Sequence, residues 1–107
     1  MAFMKHKIGR KDVFFTDHAL DRYWERYADQ HPHAGRKEAR AMLEQELETA
    51  ELRQDKPPWT RMSPWHAGRC IYVLYLDDDR CFVINKNPSG DLMAVTYLFN
   101  ERKLAHA

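Results

Sequence analysis

The segment His18-Ala-Leu-Asp-Arg22-Tyr-Trp-Glu-Arg26 carries the groups best suited to chemistry in this chain. In a helix, His18, Arg22 and Arg26 recur at i, i+4 and i+8 and form one ridge beside an apolar face. Guanidinium groups hold phosphate oxygens in forked hydrogen bonds, and an imidazole exchanges a proton near neutral pH. The set therefore suits a phosphodiester. Two like charges one turn apart repel by roughly 0.2–0.5 kcal/mol, so local helix stability does not select this ridge. Asp21, Glu25 and Asp29 lie close enough to pair with it, but such surface pairs are worth little.

A second group lies in the later half of the chain. Arg80 and Lys86, with Tyr72 and Tyr97, are candidates to grip and stack single-stranded RNA on a sheet face. Arg69 belongs to the same basic set, and Asp91 is expected opposite Lys86, where it would neutralise it. Asp77-Asp78-Asp79 reads as a solvated turn rather than a cation loop. His31 and His33 flank Pro32 with no third ligand at metal-binding spacing, so neither a metal nor a cofactor is expected. Cys70 and Cys81 fall on opposite predicted faces, as unbridged thiols of a reducing cytoplasm would. No phosphate-binding glycine loop, nucleophile elbow or catalytic-cysteine signature is present.

These residues need elements to position them. Residues 1–11 read as a basic N-terminal arm or frayed first strand, and 12–16 as a short strand. Thr16 or Asp17 can cap a helix whose apolar face is Leu20, Tyr23, Trp24 and Tyr27. A second helix is predicted from about Arg36 to Leu52, closed by Pro57-Pro58. Strands are then predicted over Trp59–Met62, Arg69–Leu76, Arg80–Lys86 and Asp91–Phe99. The expected fold is α+β: a strand, two helices, then a three- to four-stranded antiparallel meander within one domain, 12–107.

Pairing the hairpins symmetrically about their turns puts Val83, Leu92, Ala94 and Thr96 on one face. Phe82, Ile84, Met93, Val95 and Tyr97 fall on the other. Both faces are apolar, so the helices should cover one and the other should be partly covered or bound. A slip of one residue would exchange every assignment.

Composition narrows the function classes. The 107 residues hold 17 Lys and Arg against 16 Asp and Glu, a formal charge of +1. Residues 1–40 hold nine basic and six acidic side chains, whereas 41–58 hold two and five. A basic first third can make a local phosphate-binding patch although the total is balanced. Tryptophans 59 and 65 bracket Pro64 as core plugs or a partner surface. The longest apolar run, Cys70–Leu76, is far too short to span a membrane. The first 11 residues lack the apolar stretch of a secretory signal, so a cytoplasmic location is expected.

With these residues in hand, the chain resembles the RelE/BrnT-like superfamily of small bacterial and phage proteins. The resemblance covers the element order over residues 12–99, the opening His18-Ala-x-x-Arg22, and the closing strand Met93-Ala-Val-Thr-Tyr97. It implies a toxin that cleaves RNA, on the ribosome in many members, and is neutralised by a cognate antitoxin. His18, Arg22 and Arg26 would then be the catalytic group, with Arg80 and Lys86 second. The near-neutral charge departs from the strongly basic ribosome-directed members. Two other readings remain: a mobile-element protein that binds and inhibits a host or defence protein, and a nucleic-acid-binding module without catalysis. An oligomer is compatible with each of these readings.

Overall fold

The computed structural model describes residues 4–60 and 70–101. Met4–Ile8 (β1) and Lys11–Phe15 (β2) form an antiparallel hairpin. Its turn contains Gly9 at φ +63, a left-handed conformation that glycine adopts without strain. Much of the expected basic arm is therefore paired strand. Met4 and Ile8 are buried while Lys5 and Lys7 face solvent, an alternation masked in sequence by the density of charge.

Thr16 caps α1 (Asp17–Gln30), its hydroxyl accepting from the Ala19 amide at 3.2 Å. The Thr16 hydroxyl and amide both donate to the Ala94 carbonyl at 3.1 Å, which ties the helix start to the sheet. Helix α2 (Arg36–Leu47) buries Ala39, Leu43 and Leu47 and stops short of the expected Leu52. Short i to i−3 bonds from Glu48 and Thr49 unwind it. Glu51–Arg53 then becomes a strand, β3, paired with β4 (Cys70–Asp77). Helix propensity in this segment yields to the hydrogen bonds offered by the edge of β4.

With β5 (Arg80–Lys86) and β6 (Leu92–Phe99), the strands form a six-stranded sheet in the order β1-β2-β6-β5-β4-β3. The α+β class stands. The sheet, however, is mixed rather than an antiparallel meander after one strand: a hairpin precedes the helices, and β2 pairs parallel to β6. Of the strand expected at Trp59–Met62, Trp59 and Thr60 lie in no strand. Arg61, Met62, Trp65 and Arg69 lie outside the described residues.

Helices α1 and α2 lie on one face, where Phe15, Leu74, Phe82, Ile84 and Tyr97 join Tyr23 and Leu43 in the main core. Register sets this face. Along β5 and β6 the partners step from Val83↔Thr96 to Ile84↔Ala94, which leaves Val95 as an extra residue. The bulge overturns the symmetric pairing: Leu92 and Ala94 move to the helix side, and Met93 pairs with Asn85. A second shift between Cys70 and Tyr72 lets Ile71 and Tyr72 both pack against the helix-side core. The opposite face holds a smaller cluster of Val73, Tyr75 and Cys81 under Trp59 and Leu98. Trp59 is anchored there, its indole donating to the Asp78 carbonyl at 2.8 Å. No helix among the described residues is long and apolar enough to cross a membrane.

Candidate functional site

Helix α1 positions the predicted ridge, and its three members meet different surroundings. His18 is exposed in the first turn and makes no hydrogen bond or ion pair among the described residues. Arg22 reaches Glu25 only at 3.9 Å, with the two side chains 49% and 58% exposed. Such a loose surface pair leaves the guanidinium available. Arg26 is 17% exposed and lies 4.6 Å over the Phe99 ring, with Asp29 at 4.0 Å. Its Nε is buried with no partner among the described residues. The ridge thus splits into an open pair, His18 and Arg22, and a packed arginine.

The sheet quartet is also divided. Arg80 and Lys86 sit at opposite ends of β5, roughly 20 Å apart at the usual rise per residue. At the first end, Arg80 forks onto Glu46, its Nη1 donating to Oε1 at 3.1 Å and its Nη2 to Oε2. Arg80 Nε donates to Asp77 at 2.9 Å, and the Tyr23 hydroxyl donates to the same Glu46 carboxylate. Tyr97 is 2% exposed beside them. Burial opposes the Arg80 charge, yet the bonds to Glu46 and Asp77 hold it more firmly protonated than usual. Burial, then the Glu46 carboxylate, pushes the Tyr23 phenol well above its ordinary range. Burial pushes Tyr97 up to about 12 against the opposing charge of Arg80. The Tyr23 hydroxyl and all three Arg80 nitrogens donate to carboxylates, so the cluster clasps α1 and α2 to the sheet.

At the other end of β5, Lys86 and Tyr72 line a cavity of about 460 Å³ together with Lys11, Gln54, Ile71 and Leu92. The expected Lys86–Asp91 pair does not form. Lys86 faces Leu92 across the strands, and Asp91 is held by Asn87 through its amide at 2.8 Å and its carboxylate at 3.4 Å. A further cavity of about 440 Å³ between the helices is lined by Leu20, Trp24 and Arg36 among others. Arg36 there is paired with Asp21 and lies 4.6 Å over the Trp24 ring. Neither cavity is lined by His18, Arg22 or Arg26.

Sequence reasoning missed Glu46, Asp77 and Lys11. Glu46 had a signal, falling seven residues after Ala39 and three after Leu43, on the apolar stripe of α2. Lys11 had none, because only the hairpin brings it to the sheet end.

Comparison with protein-family models, curated proteins and solved structures finds no match to this chain.

Proposed function

We propose that this domain is a RelE/BrnT-like toxin that cleaves RNA without a metal, acting through the open pair on α1. The observation that supports this is the exposure of His18, a side chain with no hydrogen bond or ion pair among the described residues, one turn from the loosely held Arg22. Cleavage needs a base for the 2′-hydroxyl and a cation for the charge on the pentacoordinate phosphorane. His18 takes the 2′-hydroxyl proton, and the 2′-oxygen attacks phosphorus. The 5′-oxygen leaves with a proton from water, giving a 2′,3′-cyclic phosphate and a 5′-hydroxyl end. Arg22 holds the phosphate oxygens, and Arg26 adds its field from its seat over Phe99. The partners this reading calls for are cytoplasmic RNA, free or ribosome-associated, and an antitoxin protein.

Purified protein should cut RNA in EDTA, and His18→Ala should slow this by about a hundredfold, the scale of a lost acid or base. Undiminished cleavage in the variant removes His18 from the mechanism. If the wild-type protein leaves RNA intact, the second reading takes over: a module that inhibits a host or defence protein. That reading draws on Trp59 and Leu98, which lie partly exposed over the small apolar cluster on the face away from α1 and α2. It predicts harmless expression and a stable protein complex in a pull-down.

A further inference from the structure

The recess at the Lys86 end of the sheet has the makings of a nucleotide site. Its volume, about 460 Å³, falls within the roughly 300–1,000 Å³ usual for small-ligand pockets. Three strand ends bring its chemistry together. Lys11 pairs with Ile8 in the hairpin, so its side chain shares the helix-bearing face with the buried Ile8. Lys86 pairs with Leu92, whose side chain belongs to the helix-side core. Tyr72 pairs with Ile84 on that same face, and the adjoining register shift adds Ile71.

The two lysines of the recess are free of carboxylate partners among the described residues. Neither Lys11 nor Lys86 makes an ion pair among the described residues; Lys11 only approaches the Tyr72 ring, at 5.9 Å. Asp12 also lines the recess, but it pairs with Lys7 in the hairpin register, so its side chain leaves the strand on the face opposite to that of Lys11. Asp91 is drawn aside by Asn87. Two lysines therefore line the recess together with an aromatic ring, the apolar Ile71 and Leu92, and the Gln54 amide, which can both donate and accept. Phosphate wants the first feature, a base the second, and its hydrogen-bonding edge the third.

We propose that this recess binds a nucleoside phosphate, with the base against Tyr72, Ile71 and Leu92 and the phosphate on Lys11 and Lys86. The unit comes either as a free nucleotide or as one residue of a single strand. The site is separate from His18 and does not rest on the cleavage reading.

Binding of adenosine monophosphate, of a short single-stranded oligoribonucleotide and of inorganic phosphate can be followed by calorimetry on the full chain. Adenosine monophosphate should bind at least tenfold more tightly than phosphate. Lys86→Gln and Lys11→Gln should each weaken nucleotide binding about fivefold or more, and each should reduce the salt slope of oligonucleotide binding by about 0.7. Tyr72→Leu should weaken binding about tenfold while Tyr72→Phe retains it, the ring being what stacks. Lys5→Gln and Lys7→Gln, on solvent-facing positions of the same hairpin, should leave nucleotide affinity within twofold. Melting curves confirm that each variant is folded. An oligonucleotide at least tenfold tighter than the mononucleotide identifies a strand as the ligand; equal affinities identify the free nucleotide. The proposal is overturned if neither ligand binds, if phosphate binds as tightly as the nucleotide, or if Lys5→Gln and Lys7→Gln weaken binding as much as Lys86→Gln. Loss of cleavage in His18→Ala with nucleotide binding retained separates the two sites.

Discussion

Glu46 shows how a single side chain can set the placement of two helices. Glu38 and Glu44 on the same helix are exposed, whereas Glu46 turns inward, accepting from both Arg80 and Tyr23. The Glu46 and Arg80 side chains are only 16% and 24% exposed, so removing one partner strands the other in a poorly solvated place. Arg80→Met should lower unfolding free energy by about 2–3 kcal/mol, read from urea denaturation. Adding Glu46→Leu should restore at least half of that loss, because the pair costs desolvation that an apolar replacement avoids. A double variant no more stable than the single one would contradict this account. The phenols make a related forecast. Tyr75 and Tyr97 are raised to about 12 and Tyr23 higher still, so the fold favours their neutral forms. A group raised in the folded state contributes fully below its unfolded value near 10 and loses that contribution as pH climbs through its folded value. The melting temperature should therefore hold from neutral pH to about 10 and fall between 10 and 12. The tyrosinate absorbance contributed by these three phenols should rise with unfolding rather than before it.

At the scale of the element, Val95 decides which side chains of β6 reach the core. Below the bulge Leu92 and Ala94 face the helices; above it Tyr97 does. Deleting Val95 would force one of these sets to the wrong face, and should cost more than about 4 kcal/mol or prevent folding. Val95→Ala keeps the count of residues and should cost about 1 kcal/mol, so comparing the two melting curves isolates register from side-chain loss. This marks where sequence reading stops. Helix α1 was legible because Thr16 and the spacing of Leu20, Tyr23, Trp24 and Tyr27 act within a few residues of each other. Strands β4, β5 and β6 were legible for the same local reason. The Val95 bulge was not, since no residue type demands an unpaired position there and the gain lies in contacts across the sheet. Strand β3 was hidden too: Glu51-Leu52-Arg53 carries helical composition, and only the presence of β4 makes it a strand. The candidate site divides likewise. His18 and Arg22 could be named from spacing, while Lys11 and Lys86 share a recess only after the hairpin and β5 fold.

For the whole molecule, a near-neutral total conceals two chemically different regions. The open His18–Arg22 pair stands on α1, and the lysine recess lies at the strand ends where β2, β4, β5 and β6 meet. The two proposed sites would restrict phosphate contact to two places rather than a broad basic surface, in keeping with a charge of +1. The hairpin through Gly9 adds something that concerns other copies of the chain. Without β1, the segment Val13-Phe14-Phe15 would present a bare row of amides and carbonyls, a template for any passing strand. With β1 in place, one border of the sheet is guarded by Lys5 and Lys7, while the other ends in the three residues of β3. A chain lacking residues 1–10 should sediment as concentration-dependent larger species, whereas the full chain should not show this edge-driven growth. The same few lysines that look like a tail for nucleic acid thus also keep the sheet from being extended by its neighbours.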